Sequence, residues 1–588
     1  MDYKRLLIAL VLSAGVLFIW PKIFPPPPTA PKPPVPPTAT AGMAGTVGTG
    51  ETAGTAGAAG ASGASGAVAA PTGKPSPATA AAAASGAPAA PPVRPAGPPV
   101  VATEEKVERV ETPLFVAEVT NRGGALVSFQ LKKYDDSLRK PLDLVRKDPP
   151  FPKRTLVLDP ADPFLTRAAQ ALFVTEREES GSETTLRFRY RDETGAGVTR
   201  SWRFGKRGYV VGVGVEREGT ATPAPVGLVL GPGIGNPSEE DLASTYTKPG
   251  STIILAANGS ATRYAKDSLK EAVPALPGAT VVGLEDNYFL TAFLPGKSGS
   301  ALLRPVSFPL PAEAGKEPPA PLAESEVILS GTGALETEVF LGPKELKVLQ
   351  QLGPGADALI DYGWFAILAK PLLAVLKWIQ GGVGNWGVAI ILITVLIKIV
   401  LFPLTYKQLV SMKKMSALQP KMDAIKLRWS DKVKKDPEAR VKMNEEVMGL
   451  YKQEGVNPAG GCLPLLLQMP ILFAFYQMLA KAIELRHAPF WLWIQDLSAK
   501  DPYYVTPILM TATMFIQQQM TPATGDATQR KVLAAMPLVF GFMFKDVPSG
   551  LVLYWLVQNV LTIGQQMLLD RFTDLGPAKG AAKKKGKG

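Results

Sequence analysis

Lys398 stands inside an apolar run, Gly387–Phe402, and puts a full positive charge where a transmembrane helix would carry hydrocarbon. A lysine at the centre of a span costs about 2.5–3.5 kcal/mol on insertion scales, so an ionisable group at that depth is first read as functional. The plain alternative is a lysine that snorkels its amine to the headgroups, since the Phe402-Pro403 end lies four residues on. Other polar groups punctuate the apolar stretches that follow. Thr394 lies one turn before Lys398, Gln468 and Gln477 fall in the next stretch, Thr511, Thr513 and Gln517 in another, and Gln558, Asn559 and Thr562 in the last. Within lipid such groups face the bundle interior or a wet cavity, or they hydrogen-bond between helices. No Asp or Glu lies midway along these stretches to neutralise Lys398, because Glu484 and Asp546 sit near the opposite ends. An uncompensated cation at depth predicts a water-filled pocket, with Thr394 and Lys398 on one helix face toward it. The chemistry is electrostatic capture of a polar or anionic group rather than bond making.

The rest of the inventory excludes much. The chain of 588 residues has one histidine, His487, and one cysteine, Cys462. A multi-histidine metal site and an intrachain disulfide are therefore ruled out, and a Ser-His-Asp triad would have to use His487. No Gly-x-x-x-x-Gly-Lys-Ser/Thr phosphate loop occurs, so there is no ATPase signature. The expectation is a protein with no enzymatic activity, no cofactor and no metal. Hydrophobic residues make up 46% and charged residues 19%, which fits a membrane protein with a soluble part. The net charge of +12 is unevenly placed, with basic residues gathered in 404–454 and at Lys583, Lys584, Lys585 and Lys587. In a membrane protein such segments read as cytoplasmic. A lysine-rich tail also attracts anionic lipid or ribosomal RNA, with no sign of specific DNA recognition.

These residues have to be positioned by a chain of changing character. Residues 1–24 have a basic start and an apolar middle, Leu6–Trp20, and predict a retained N-terminal transmembrane anchor. Residues 25–100 are almost all Pro, Ala, Gly, Thr, Ser and Val, which predicts a disordered linker. Across 101–345, short β-favouring runs such as Phe115–Thr120, Thr184–Tyr190, Tyr209–Val215, Thr252–Leu255 and Tyr288–Phe293 alternate with turn residues. Leu186, Phe188 and Tyr190 alternate with arginines, so an all-β sandwich is predicted. Residues 357–380 are apolar but carry Lys370, Pro371 and Lys377, and predict an interfacial amphipathic helix rather than a span. Five spans are expected at 385–403, 463–483, 503–520, 532–547 and 549–569, within a core of 385–570. Between the first two, 404–460 holds twelve Lys/Arg against seven Asp/Glu and predicts a charged helical hairpin broken at Asp436-Pro437. Residues 571–588 form the basic tail. Counting spans from an inside N-terminus puts the β domain outside and the hairpin and both termini inside the cell.

Several stretches resemble the YidC/Oxa family of membrane protein insertases: Asp361–Trp364, Gly384–Gly387, Asn457–Ile471, Trp493–Tyr504 and Pro548–Trp555. The resemblance runs from the anchor to the tail. It implies a multi-domain protein of the bacterial inner membrane. Its polytopic α-helical core would have five helices plus the anchor, and its periplasmic domain would be an all-β supersandwich, related in shape to sugar mutarotases but not catalytic. It also implies a hydrophilic substrate groove, closed toward the periplasm, that holds an intramembrane arginine. Lys398 falls on that arginine's position, Thr394 on a groove-lining position, and Trp555 on one usually held by tyrosine. Lysine keeps the charge and loses the planar fork of donors. Gln468 and Gln558 are expected to complete the lining.

The implied function is insertion of nascent membrane proteins, alone or beside the Sec translocon. The hairpin and basic tail would meet the substrate and a ribosome. The substrate's polar segment would be held near Lys398 while its apolar segment slides past the 463–483 and 532–547 spans into the lipid bilayer. The alternative is an anion-binding secondary transporter. Transporters usually show paired repeats with matched broken helices, and none is visible in this chain. A third reading, an enzyme in the β domain, lacks both histidine and a paired carboxylate site there.

Overall fold

Period-two alternation becomes a sheet wherever one face can be buried. In the strand Glu183–Arg191, Leu186 and Phe188 are buried while Arg187 and Arg189 face water. Leu186 lies opposite Trp202 and Phe188 opposite Arg200 on the next strand, so the inner face stays in register. The computed structural model describes residues 98–136, 139–205, 208–219, 223–235, 250–265, 268–296, 299–310, 320–455, 463–520 and 527–572. The expected anchor 1–24, nearly all of the linker 25–100 and most of the tail 571–588 lie outside the described residues, as does the side chain of Gln468. By compactness the chain divides into Lys32–Pro95 and the remainder, and all that follows concerns the remainder.

Among the described residues the β domain is built from two antiparallel sheets. Val107–Glu111, Phe115–Thr120, Leu126–Asp135 and Pro141–Asp143 form a four-stranded sheet in chain order. A fourteen-stranded sheet runs from Ala261–Ala265 through Ser251–Ala256, Ala279–Glu285, Phe289–Leu294, Ala334–Pro343, Val210–Glu218, Gly197–Gly205 and Glu183–Arg191 to Val174–Ser180, with further strands off this path. Their inner faces share one core, in which Phe115 stacks on Phe129 at 4.4 Å and Trp202 lies parallel to Phe204. Arg200 is fully buried in this core, and its Nη1 donates to the carbonyls of Gly123 and Leu156. Burial pushes its guanidinium down to about 9.

Among the described residues, eight helices position the membrane part: α1 Ala366–Val383, α2 Trp386–Ala417, α3 Gln419–Lys435, α4 Pro437–Gln453, α5 Leu463–Lys481, α6 Val505–Met520, α7 Ala527–Phe544 and α8 Ser549–Phe572. Among the described residues, Gly363–Val383 and Trp386–Lys407 are long and apolar enough to cross a membrane by length and composition. Composition alone therefore lets α1 cross as well as lie on the surface. The α2 helix passes through Pro403 and continues to Ala417, so the span runs on into the start of the expected hairpin segment rather than ending at residue 403, and α3 begins after Leu418. Pro403 removes the ladder donor to Ile399 O, and two residues on the Thr405 hydroxyl donates back to Leu401 O and Phe402 O of the same helix. Between α3 and α4 the Asp436 carboxylate accepts from Glu438 N at 2.9 Å and Pro437 opens the next helix. The hairpin has its own small core of Met415, Leu418, Met422 and Tyr451. In the bundle α8 is central, packing against α2, α5 and α6.

Candidate functional site

The site grows from the seam between α2 and α8. Lys398 is 6% exposed, and its Nζ donates to Thr562 Oγ1 at 2.7 Å. The Thr562 hydroxyl in turn donates to Gln558 O at 2.7 Å, one turn back on its own helix. The ammonium thus has a neutral oxygen as acceptor, and among the described residues no carboxylate forms an ion pair with it. A hydroxyl stabilises a buried charge far less than a carboxylate does. Thr394, one turn away and fully buried, donates its hydroxyl to Ile390 O at 2.6 Å on its own helix. Its proton is therefore not free for a ligand.

The polar face of α8 extends on both sides of this contact. At 3.6 residues per turn, Trp555, Gln558, Thr562, Gln565 and Gln566 fall within about 100° of the helix circumference. Gln558 to Gln566 covers about 12 Å of axis at 1.5 Å per residue. The Oε1 atoms of Gln518, Gln558, Gln565 and Gln566 are buried without a hydrogen-bond partner among the described residues. Buried acceptors are normally satisfied, so these four mark where water or an incoming donor belongs. Asn559 behaves differently, because its Nδ2 donates across the helix pair to Thr513 Oγ1 at 3.3 Å. Thr511 and Thr513 bond to their own helix carbonyls. Asn559 and Thr513 thus act as interhelical glue, whereas the Thr511 hydroxyl stays on its own helix. Trp555 is half-buried against α7, 5.1 Å from the Phe544 ring and 6.0 Å from Phe540. Its neighbour Tyr554 stacks on Phe475 of α5 at 4.3 Å. Aromatic pairs so fix α8 from two sides.

Of the residues singled out by sequence, Lys398 reaches α8 at Thr562, whose hydroxyl rests on the Gln558 carbonyl, while Thr394 lies one turn from Lys398 on α2 and Trp555 lies on the same face of α8 as Thr562. The side chain of Gln468 lies outside the described residues. Gln518, Gln565 and Gln566 were missed. The i+3, i+4 spacing that continues from Gln558 and Thr562 carried the signal for the latter two.

One end of the bundle is sewn shut by its loops. The buried Asp501 carboxylate accepts from Trp493 Nε1 at 3.0 Å, Tyr503 N at 3.0 Å, Thr506 N at 2.7 Å and Thr506 Oγ1 at 2.8 Å. Ser549 N donates to Ala499 O at 2.7 Å and Ser549 Oγ to Asp496 O at 2.9 Å, which fastens the start of α8 to the same loop. Asn385 donates to Phe490 O at 2.9 Å, and a Cβ added at Gly387 would lie 2.0 Å from the Phe490 ring. The β domain meets this end as well. Asn287 Nδ2 donates to Ala480 O at 2.8 Å and Lys481 Nζ to Asn287 Oδ1 at 2.5 Å. Arg486 Nη1 donates to Asp135 O at 2.5 Å, and His487 lies against that same carbonyl and the Asp496 carboxylate.

Known proteins carry the same two parts. Residues 378–575 match the family model described as 60Kd inner membrane protein, and residues 108–375 the one described as YidC periplasmic domain. The membrane protein insertase YidC of Syntrophus aciditrophicus is 38% identical over 504 residues, covering 80% of this chain and 86% of that one. Its counterpart in Geobacter metallireducens is 37% identical over 501 residues, covering 82% and 88%. Among solved structures, an active YidC insertase with its first transmembrane domain resolved is 20% identical at a TM-score of 0.34, covering 80% of this chain and 94% of that one. YidC from Thermotoga maritima is 15% identical at a TM-score of 0.29, covering 80% and 99%.

Proposed function

The chain belongs to the YidC family of membrane protein insertases, and we propose that it inserts its substrates along the α2–α8 seam, with Lys398 as the charge that receives a polar segment. It is an insertase of the inner membrane, not an enzyme or a transporter, and its substrates are nascent membrane proteins. The observation that carries the seam proposal is the buried Lys398 ammonium with a threonine hydroxyl for a partner. An acidic side chain arriving from the hairpin end supplies the charge-assisted bond that Thr562 does not. The open carbonyls of Gln558, Gln565, Gln566 and Gln518 take backbone N–H groups of the same segment, which spares those groups the cost of bare hydrocarbon. Thr394 and Trp555 line this path, and the apolar part of the substrate leaves past α5 and α7. Transfer of apolar surface at about 25 cal/mol per Å² drives the exit.

In the same reading α1 lies along the membrane surface, and the hairpin and both termini are cytoplasmic. The hairpin and the basic tail meet the ribosome, and the chain works alone or beside the Sec translocon. The excess of basic residues over 404–460 supports this orientation. A photo-crosslinker at position 398 or 555 tests the path against a ribosome-stalled nascent chain. Adducts are expected from both positions. Adducts from the lipid-facing positions Ile399 and Val400 alone would contradict the seam.

A further inference from the structure

We propose that the recess between the Gly353–Asp357 turn and α1 binds the headgroup of a zwitterionic ethanolamine phospholipid. The inference rests on α1 lying along the membrane surface, and it concerns a site remote from the seam. The recess has a volume of about 470 Å³ and is lined by Leu346, Gln350, Gly353, Asp357 and Lys370 among others. That volume falls within the range of about 300–1,000 Å³ usual for ligand pockets. A Cβ added at Gly353 would meet nothing within 4 Å, so this part of the rim is open.

The chemistry of the lining is one cation, one anion and one amide. Lys370 Nζ donates to the Asp357 carboxylate, and both side chains remain about a third exposed, 35% and 40%. The Lys370 ammonium holds the Asp357 carboxyl below the ordinary carboxylate range, so it stays ionised at neutral pH. An exposed ion pair of this kind contributes little to stability. Opening it to admit a second, complementary pair of charges costs little. A phosphate on Lys370 and an ammonium on Asp357 satisfy both partners at once. A glycerol headgroup brings no cation for the carboxylate, and a choline headgroup brings no N–H donor.

The neighbouring surface identifies the bearer of that headgroup as a lipid. Trp364, Ile367, Pro371, Ala374 and Trp378 are exposed and follow helical spacing, with Ile367 at 82% and Trp378 at 78%. Ala369, Leu373 and Leu376 on the other side of α1 are buried in the protein. Lys370 comes three residues after Ile367 and four before Ala374, on the flank where the exposed apolar stripe ends. Acyl chains lying on that stripe bring their headgroup to the recess. Amphipathic indoles at both ends of the stripe suit the same boundary between lipid and water.

The test uses the full chain and native mass spectrometry from bilayers with equal parts ethanolamine, glycerol and choline phospholipid. The wild type is expected to retain the ethanolamine lipid about fivefold over the other two, a ratio of the size that one exposed ion pair supplies. Asp357→Asn should abolish its preference over the glycerol lipid, and Lys370→Gln should lower retention of both. Equal retention of the three lipids by the wild type, or a preference unchanged in Asp357→Asn, overturns the site. Displacement of the bound lipid by millimolar inorganic phosphate overturns the assignment to lipid. A spin label on Ile367→Cys, in a Cys462→Ser background, separates this from the placement of α1. A label at headgroup depth supports that placement, and a label at the bilayer centre or in water overturns it.

Discussion

At the scale of single residues, Lys398 is defined by what its ammonium lacks. Thr562 is its hydrogen-bond partner, and a hydroxyl neutralises nothing. The contact should still matter to stability, because a buried cation stripped of an acceptor bears its desolvation unrelieved. Thr562→Val is expected to cost about 1–3 kcal/mol in the wild type and close to nothing when Lys398 is already Met. Thermal melts of the four proteins of that double-mutant cycle check it. Equal costs in both backgrounds would mean that the 2.7 Å contact does not carry the effect. The lysine was legible in sequence because charge is rare in an apolar run. Its partner was not, because it is 164 residues away and only packing brings the two together. Gln565 and Gln566 were overlooked for another reason. They lie near the polar end of the last span, where a glutamine reads as ordinary surface.

At the scale of elements, the motifs that looked most informative turn out to be joints. Gly387 begins α2 where no side chain fits, since a Cβ would lie 2.0 Å from the Phe490 ring. Gly541, in the last turn of α7, is equally tight, with Thr511 Oγ1 2.2 Å from its added Cβ. Such overpacking typically costs about 1–3 kcal/mol. Gly387→Ala should therefore lower the melting temperature, and adding Phe490→Ala should recover much of the loss beyond the cost of Phe490→Ala alone. Additive losses would show that the two residues are not pressed together. Helix existence and order were readable from hydrophobic stretches. Their ends were less so: α2 runs to Ala417 through Pro403, because the Lys- and Met-rich sequence beyond it favours helix as strongly as the span does.

At the scale of the whole molecule, the junction between the β domain and the bundle carries a buried charge network that no local pattern reveals. The Glu285 carboxylate accepts from Arg263 at 2.7 Å and from Lys344 at 3.1 Å, next to the Asn287 that grips α5. Burial pushes this carboxyl up, but Lys344 and Arg263 outweigh burial and hold it below its ordinary 4.5. A depressed folded-state value stabilises the protein at pH above the unfolded value, and that stabilisation is lost as pH falls through the folded one. Asp286 beside it is raised by burial and works in the opposite direction, so the wild type alone does not isolate Glu285. Glu285→Gln should cost about 3–5 kcal/mol at pH 7, and the gap to wild type should narrow below pH 4.5. A gap constant from pH 7 to pH 3 would rule out the ion pair as its source. The sandwich itself was plain from alternation such as Leu186–Tyr190, whereas its register against the helices depends on contacts like Asn287–Ala480 and Arg486–Asp135 that span hundreds of residues. The central claim concerns the charge in the seam, and insertion by purified full-length protein in proteoliposomes tests it most directly. With a single-span substrate bearing an acidic N-terminal tail, Lys398→Arg should insert as the wild type does and Lys398→Ala should fall at least about tenfold, the factor that 1.4 kcal/mol represents. Equal insertion by the alanine variant would contradict it.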